Sequence, residues 1–257
     1  MGLIISKASG VCELKLNRPA VFNSFNKDLA IELQDALDAC EADKEIRVII
    51  ITGEGKAFCA GQDLAEVTDP NGPPLDLIVV DHYNPIITRI RSIEKPIIAA
   101  INGVAAGAGA NIALACDVVI AKESASFIQA FSKIGLIPDS GGTFFLPRIV
   151  GMQKALALMM TGEKVMAKEA EAMNMIYKYV ADESFDEEVT KLAAKFAKMP
   201  TRGFGLTKKA VNASWTNNLE QQLDVEGVLQ TEAGGTRDFK EGCMAFLEKR
   251  RPNFIGE

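Results

Sequence analysis

The chain has 257 residues, 48% hydrophobic and 24% charged, with a net charge of −6. That is one large domain, or one domain with an appendage, with ample apolar residue to bury a core. The acidic balance, with no basic cluster beyond Lys249-Arg250-Arg251, argues against nucleic acid as the main partner.

The longest apolar runs break well short of a membrane span, and the opening MGLIISKASG lacks a basic leader with a long apolar core. The expectation is a cytoplasmic protein without membrane contact. Val11 to Leu16 alternates as a strand and stops at Asn17-Arg18-Pro19. Asn26 can cap a helix over 27–42, where Leu29, Leu33, Ala36, Leu37 and Cys40 keep helical spacing. Arg47 to Thr52 is an apolar strand, followed by a glycine-bearing loop that runs to Leu64. Asp69 to Pro74 is polar and turn-rich, and a helix is predicted over 77–93.

The centre of the chain is Pro96 to Asp117, which reads as a buried strand (Ile97 to Ile101), a glycine-rich turn and a buried helix. Val118 to Ala121 is the next strand. The loop Pro138-Asp139-Ser140-Gly141-Gly142 precedes a helix from about Thr143, and further helices are predicted over 151–161 and 167–173. Ile176 to Val180 reads as a short strand, and the pattern is nearly all helical from Phe185. Strands alternating with helices place the chain in the α/β class with a helical tail.

The glycine turn leaves the first amides of its helix without partners, which favours negative charge there. Ile112 stands where a dinucleotide fingerprint needs its third glycine, and no lysine closes the turn as a phosphate loop requires. A small, transient oxyanion held by one or two amides fits better. The alternative is that glycine and alanine only let helix and strand pack closely. The loops at 60–64, 103–109 and 138–142 all read as strand-end loops, where open α/β sheets bind ligands.

The five cysteines are odd in number and show no C-x-x-C spacing, which reads as reduced core thiols. His82 is the only histidine, on a predicted helix and with no G-x-S-x-G motif elsewhere. It reads as a surface or core residue rather than a base. Histidine-rich metal sites are excluded, and no metal or cofactor is expected.

The three loops together resemble the crotonase (enoyl-CoA hydratase/isomerase) superfamily. The residues that carry the resemblance are Leu16-Asn17-Arg18-Pro19 with Asn23 and Asn26, Phe58 to Leu64, Asn102 to Gly109, Gly135 to Thr143, Asp238 to Gly242, and Phe246 to Arg250. They span essentially the whole chain. The resemblance implies a spiral of ββα units over 1–195 that holds the acyl-CoA site. A helical region over 196–257 would serve trimer or hexamer assembly and close the CoA pocket. It implies acyl-CoA thioester substrates, with coenzyme A part of the substrate. It places the oxyanion-holding amides at Gln62 and Ala108, where Ala108 stands in place of a usual glycine. Substrate contacts are expected at Phe22, Ala60, Gly61, Gln62, Asp63 and Leu64, and at Gly107, Ala108 and Gly109.

The two glutamates of the hydratases in this superfamily fall at Asn111 and Phe131, and neither residue moves a proton at neutral pH. Adding water calls for an activated water and a proton donor, whereas shifting a double bond needs one group. The candidate is Asp139, in an apolar frame of Ile137, Pro138, Phe144 and Phe145 that would raise its pKa. The alternative is that Asp139 or Ser140 caps the following helix. An aspartate here resembles the dienoyl-CoA isomerases, and IPDSGGT resembles most the PaaG-type ring-epoxide isomerases of phenylacetate breakdown. The expectation is an acyl-CoA isomerase. A hydratase, or a non-catalytic acyl-CoA- or RNA-binding relative, are the alternatives.

Overall fold

The computed structural model describes residues 2–257. The chain opens with β1 (Leu3–Ala8) and β2 (Val11–Leu16), an antiparallel pair, and helix α1 (Lys27–Ala42) follows. Asn26 caps α1: its Oδ1 accepts from the Leu29 amide at 3.1 Å, a contact whose loss typically costs about 1 kcal/mol. Leu29, Leu33 and Leu37 of α1 are fully buried, and truncating any one to alanine would cost roughly 2–5 kcal/mol.

A two-strand unit then repeats. β3 (Val48–Gly53) and β4 (Ala57–Cys59) are followed by the short helix α2 (Leu64–Thr68). β5 (Ile97–Ile101) and β6 (Val104–Ala106) are followed by α5 (Ala108–Ala115). β7 (Val118–Lys122) and β8 (Ser126–Ile128) are followed, after a 3-10 turn at Ala130–Ile134, by α6 (Gly142–Val150). The first strand of each unit joins a six-stranded sheet ordered β1-β2-β3-β5-β7-β10, with β10 at Lys178–Val180. The second joins a four-stranded sheet ordered β4-β6-β8-β9, with β9 at Lys164–Met166. This is the spiral of ββα units that the resemblance implies.

Both faces of the large sheet are covered, which is why β3 and β5 are apolar throughout. One face packs on α1. On the other, Val48, Ile50, Ile98 and Ala100 pack against Phe185, Val189 and Ala193 of the helix at Phe185–Ala197. Three more helices, Thr201–Ser214, Leu219–Gly234 and Arg237–Leu247, complete the tail. Among the described residues, no helix is long and apolar enough to cross a membrane.

The helix predicted over 77–93 is broken. Leu75–Leu77 forms α3, Ile78–Tyr83 is a π-helical turn, and α4 spans Asn84–Ser92. Pro85 has no N–H to give the carbonyl of Asp81, so the helical ladder lapses there. Gln34 of α1 supplies the missing donor: its Nε2 donates to the carbonyls of Asp81 at 2.8 Å and His82 at 3.1 Å. His82 is 2% exposed, a core residue of this turn.

Candidate active site

The loop after β4 and the turn before α5 lie side by side. A Cβ placed on Gly61 would stand 3.5 Å from the Ala108 nitrogen and 3.6 Å from Gly107 Cα. The chain around Phe22 joins them: the Ala60 amide donates to the Phe22 carbonyl at 2.9 Å. The Phe25 amide donates to the Gly61 carbonyl at 2.7 Å, and the Asp63 amide to the Phe25 carbonyl at 2.8 Å. The structure thus brings Phe22, Ala60–Leu64 and Gly107–Gly109 into one place. Phe22 and Leu64 are more than half exposed, while Gly61 and Gly107–Gly109 are buried.

Among the described residues, the amides of Gln62 and Ala108 donate to no protein acceptor. Ala108 is the first residue of α5, so its N–H also carries the partial positive end of that helix. The close-packing alternative holds one residue later. A Cβ on Gly109 would meet Cys59 Cβ and the Cys59 carbonyl oxygen, both at 2.6 Å. Packing and free amides are parts of one device: Gly109 seats α5 on β4, and that seat sets Ala108 beside Gln62. The Cys59 thiol beneath them is pushed up to about 12 by burial and stays neutral.

The side chain of Gln62 is held as well. Tyr83 donates its hydroxyl to Gln62 Oε1 at 2.7 Å, and Gln62 Nε2 donates to Glu66 Oε2 at 2.8 Å. Tyr83 is 1% exposed and packs edge-on to Phe25, ring centroids 5.8 Å apart. Burial first, then the nearby carboxylates of Asp139, Glu66 and Asp63, raises its pKa well above the phenol value. It remains a neutral donor. The sequence reading missed Tyr83, whose only signal is its place two residues before the helix-breaking Pro85.

Asp139 sits in the third loop. This loop does not leave a strand end as predicted, because the 3-10 turn and Gly135 intervene after β8. Its carboxylate is half-buried and accepts from Ser140 Oγ at 2.9 Å. Burial raises its pKa from the ordinary aspartate value, and the Ser140 hydroxyl offsets part of that rise. Ile137 is 80% exposed and is no part of a burying frame, contrary to the sequence reading. The capping alternative finds no support: α6 starts after Gly141 with no side-chain cap. Ser140 (φ 51) and Gly141 (φ 74) are both left-handed, a costly arrangement for a serine.

The family model for enoyl-CoA hydratase/isomerase matches residues 6–257. The chain belongs to the enoyl-CoA hydratase/isomerase family. It is 47% identical over 251 residues to a 1,2-epoxyphenylacetyl-CoA isomerase of Escherichia coli (strain K12), covering 96% of each chain. It is 45% identical over 249 residues to a probable enoyl-CoA hydratase of Rhodobacter capsulatus, covering 97% of this chain and 96% of the relative. A crystal structure of enoyl-CoA hydratase from Bacillus anthracis superposes with a TM-score of 0.92 at 34% identity over the full length of both chains.

In this member of the family, the two positions that the resemblance matches to hydratase glutamates both lie beside these loops. Asn111 is fully buried on α5, and its Nδ2 donates to the Asp139 carbonyl at 2.9 Å. Phe131 is 6% exposed, with Cζ 3.9 Å from where a Gly107 Cβ would be. The nearby carboxylates are already engaged. Asp63 pairs with Arg18 at 2.8 Å and caps α2 through the Ala65 amide. Glu66 accepts from Gln62 and from the Lys27 amide.

Proposed function

We propose that this chain is an acyl-CoA isomerase that moves a proton with one carboxylate while two amides hold an enolate. The observation that carries the reading is the composition of the site. It has one half-buried, lightly bonded carboxylate, Asp139, on a loop that Asn111 ties to α5, two unpartnered amides, one of them at the start of α5, and an amide and a phenyl ring at the positions that the resemblance matches to hydratase glutamates. In a 3-enoyl thioester, the Asp139 carboxylate takes the proton at C2, and the electron pair moves onto the thioester oxygen. The Gln62 and Ala108 amides stabilise that oxyanion, each worth ~10²–10³ in rate. Asp139 then returns the proton at C4 as the enolate collapses to the 2-enoyl thioester. No water is consumed.

The same shift from the carbon next to a thioester into a ring would serve a 1,2-epoxyphenylacetyl-CoA, the substrate named for the Escherichia coli relative. The name of the Rhodobacter capsulatus relative favours hydration, but that reaction wants a second carboxylate. The Ala60–Leu64 and Gly107–Gly109 segments are assigned to the CoA ester. The helices after residue 195 leave Leu219, Val228, Phe246 and Leu247 between 68 and 83% exposed. We assign these to self-assembly as a trimer or hexamer, which light scattering would check.

Asp139→Asn tests the reading. Turnover of a 3-enoyl-CoA should fall ~10³-fold, within the range for a lost acid–base group, while CoA-ester binding persists. Unchanged turnover would overturn the assignment.

A further inference from the structure

We infer that Asn111 and Gln129 form a buried amide pair that positions Asp139; the inference rests on Asp139 being the proton shuttle. Asn111 Nδ2 donates to the Asp139 carbonyl at 2.9 Å, and Asn111 Oδ1 accepts from Gln129 Nε2 at 2.8 Å. The two bonds fix the orientation of the Asn111 amide, because its donor end and its acceptor end each have one partner. Asn111 has no exposed surface and Gln129 is 5% exposed.

Two further features separate this pair from ordinary core packing. Gln129 Oε1 is buried with no partner. An amide left half-satisfied in a core is less stable there than an apolar side chain of its size, so its retention points to the bond that its other end makes. The main chain also makes room for the pair. A Cβ on Gly142 would stand 2.3 Å from Asn111 Nδ2, so Gly142 clears the path by which Asn111 reaches the loop.

The loop has need of such an anchor. Asp139 is followed by the left-handed Ser140, a conformation that persists only where its surroundings over-determine it. The Asp139 carbonyl accepts from the Gly142 amide at 2.8 Å and from Asn111, which ties the residue to α5. α5 also carries the Ala108 amide at its first position. The base and one oxyanion donor are therefore indexed to the same helix. An ionised carboxylate at 111 would set two acceptors against each other at the Asp139 carbonyl. Position 111 can hold a carboxylate of the hydratase kind or anchor this loop, but not both.

The test is steady-state kinetics with a 3-enoyl-CoA on Asn111→Asp, Gln129→Met, the double variant and Asp139→Asn, each checked for folding by circular dichroism. Asn111→Asp is close to isosteric and replaces the donor with a second carboxylate oxygen, which sets two acceptors against each other at the Asp139 carbonyl. Its kcat should fall about 10²-fold, as for a displaced reacting group, with KM unchanged. Gln129→Met, which relieves the unpaired oxygen, should fold and lower kcat about tenfold, again with KM unchanged. The double variant should be no worse than Asn111→Asp, because both act along one line. If Asn111→Asp does not fold, Gln129→Met decides alone. Parental kcat in a folded variant, or a loss confined to KM, overturns the pair. Turnover retained in Asp139→Asn would instead overturn the reading of Asp139 itself.

Discussion

The two halves of the site are made of different material. The half at Gln62 and Ala108 is main chain: two N–H groups set side by side by the seating of α5 on β4, where no side chain fits at Gly109. The half at Asp139 is a side chain on a left-handed loop, tuned by burial and anchored by a buried amide. The first half should tolerate changes of side-chain chemistry and fail on added volume. The second should tolerate little change of chemistry if, as proposed, its one carboxylate carries the proton.

Added volume is the strongest way to break the first half. Gly109→Val would force its Cβ into Cys59 and push α5 off β4. Turnover should fall ~10²–10³-fold, as for a lost oxyanion donor, and stability by about 1–3 kcal/mol, read by denaturant titration. Ala108→Gly keeps the N–H and should leave turnover near the parent. If Gly109→Val were as active as the parent, the amides would not be the working groups.

Acid is the next lever, and it acts on the second half alone. The raised pKa of Asp139 means that the working ionised form is lost at higher pH than for an ordinary aspartate of about 3.9. kcat/KM should fall about tenfold per pH unit below that pKa, and the limb should be absent from the residual rate of Asp139→Asn. The stability consequence has the opposite sense. The folded protein holds this proton more tightly than the unfolded chain, so the contribution is present below the unfolded pKa. It is lost as pH rises through the folded pKa. Asp139→Asn should therefore be at least as stable as the parent at neutral pH, by thermal melting. A variant much less stable there would mean that the carboxylate is structural.

Tyr83→Phe gives the smallest effect and sharpens the link between the halves. It removes one buried hydroxyl bond to Gln62 Oε1, worth about 1 kcal/mol. The free amide of Gln62 stays, so stability should drop by that amount and turnover only a few-fold. A loss as large as that of Asp139→Asn would make Tyr83 a participant.

How much of this was legible in the sequence follows the same division. Main-chain features leave local signatures. The strand at 97–101 is bounded by Pro96 and Asn102-Gly103, the cap of α1 is written in Asn26, and the small residues at 103–109 mark where backbone must approach. The three-residue strands of the second sheet were not legible, because they are too short to show a period. β1 was not legible because five of its six residues are exposed and no buried face patterns it. Side-chain features depend on distant partners. Gln34 completing the helix break at Pro85, Tyr83 reaching Gln62 and Gln129 bracing Asn111 are separated by 18 to 48 residues. Asp139 was singled out by the family resemblance and an apolar frame that the exposed Ile137 does not supply, and the agent of its placement was not legible. Asn111 stood out only as a missing glutamate, and the structure shows it holding the loop.

The most direct test of a one-carboxylate isomerase is to incubate the protein with 3-enoyl-CoA and 2-enoyl-CoA esters in heavy-oxygen water and weigh the products by mass spectrometry. The account predicts conversion of the 3-enoyl to the 2-enoyl ester with no label. Labelled 3-hydroxyacyl-CoA would contradict it, because water would then be activated without the two glutamates on which the distinction rests.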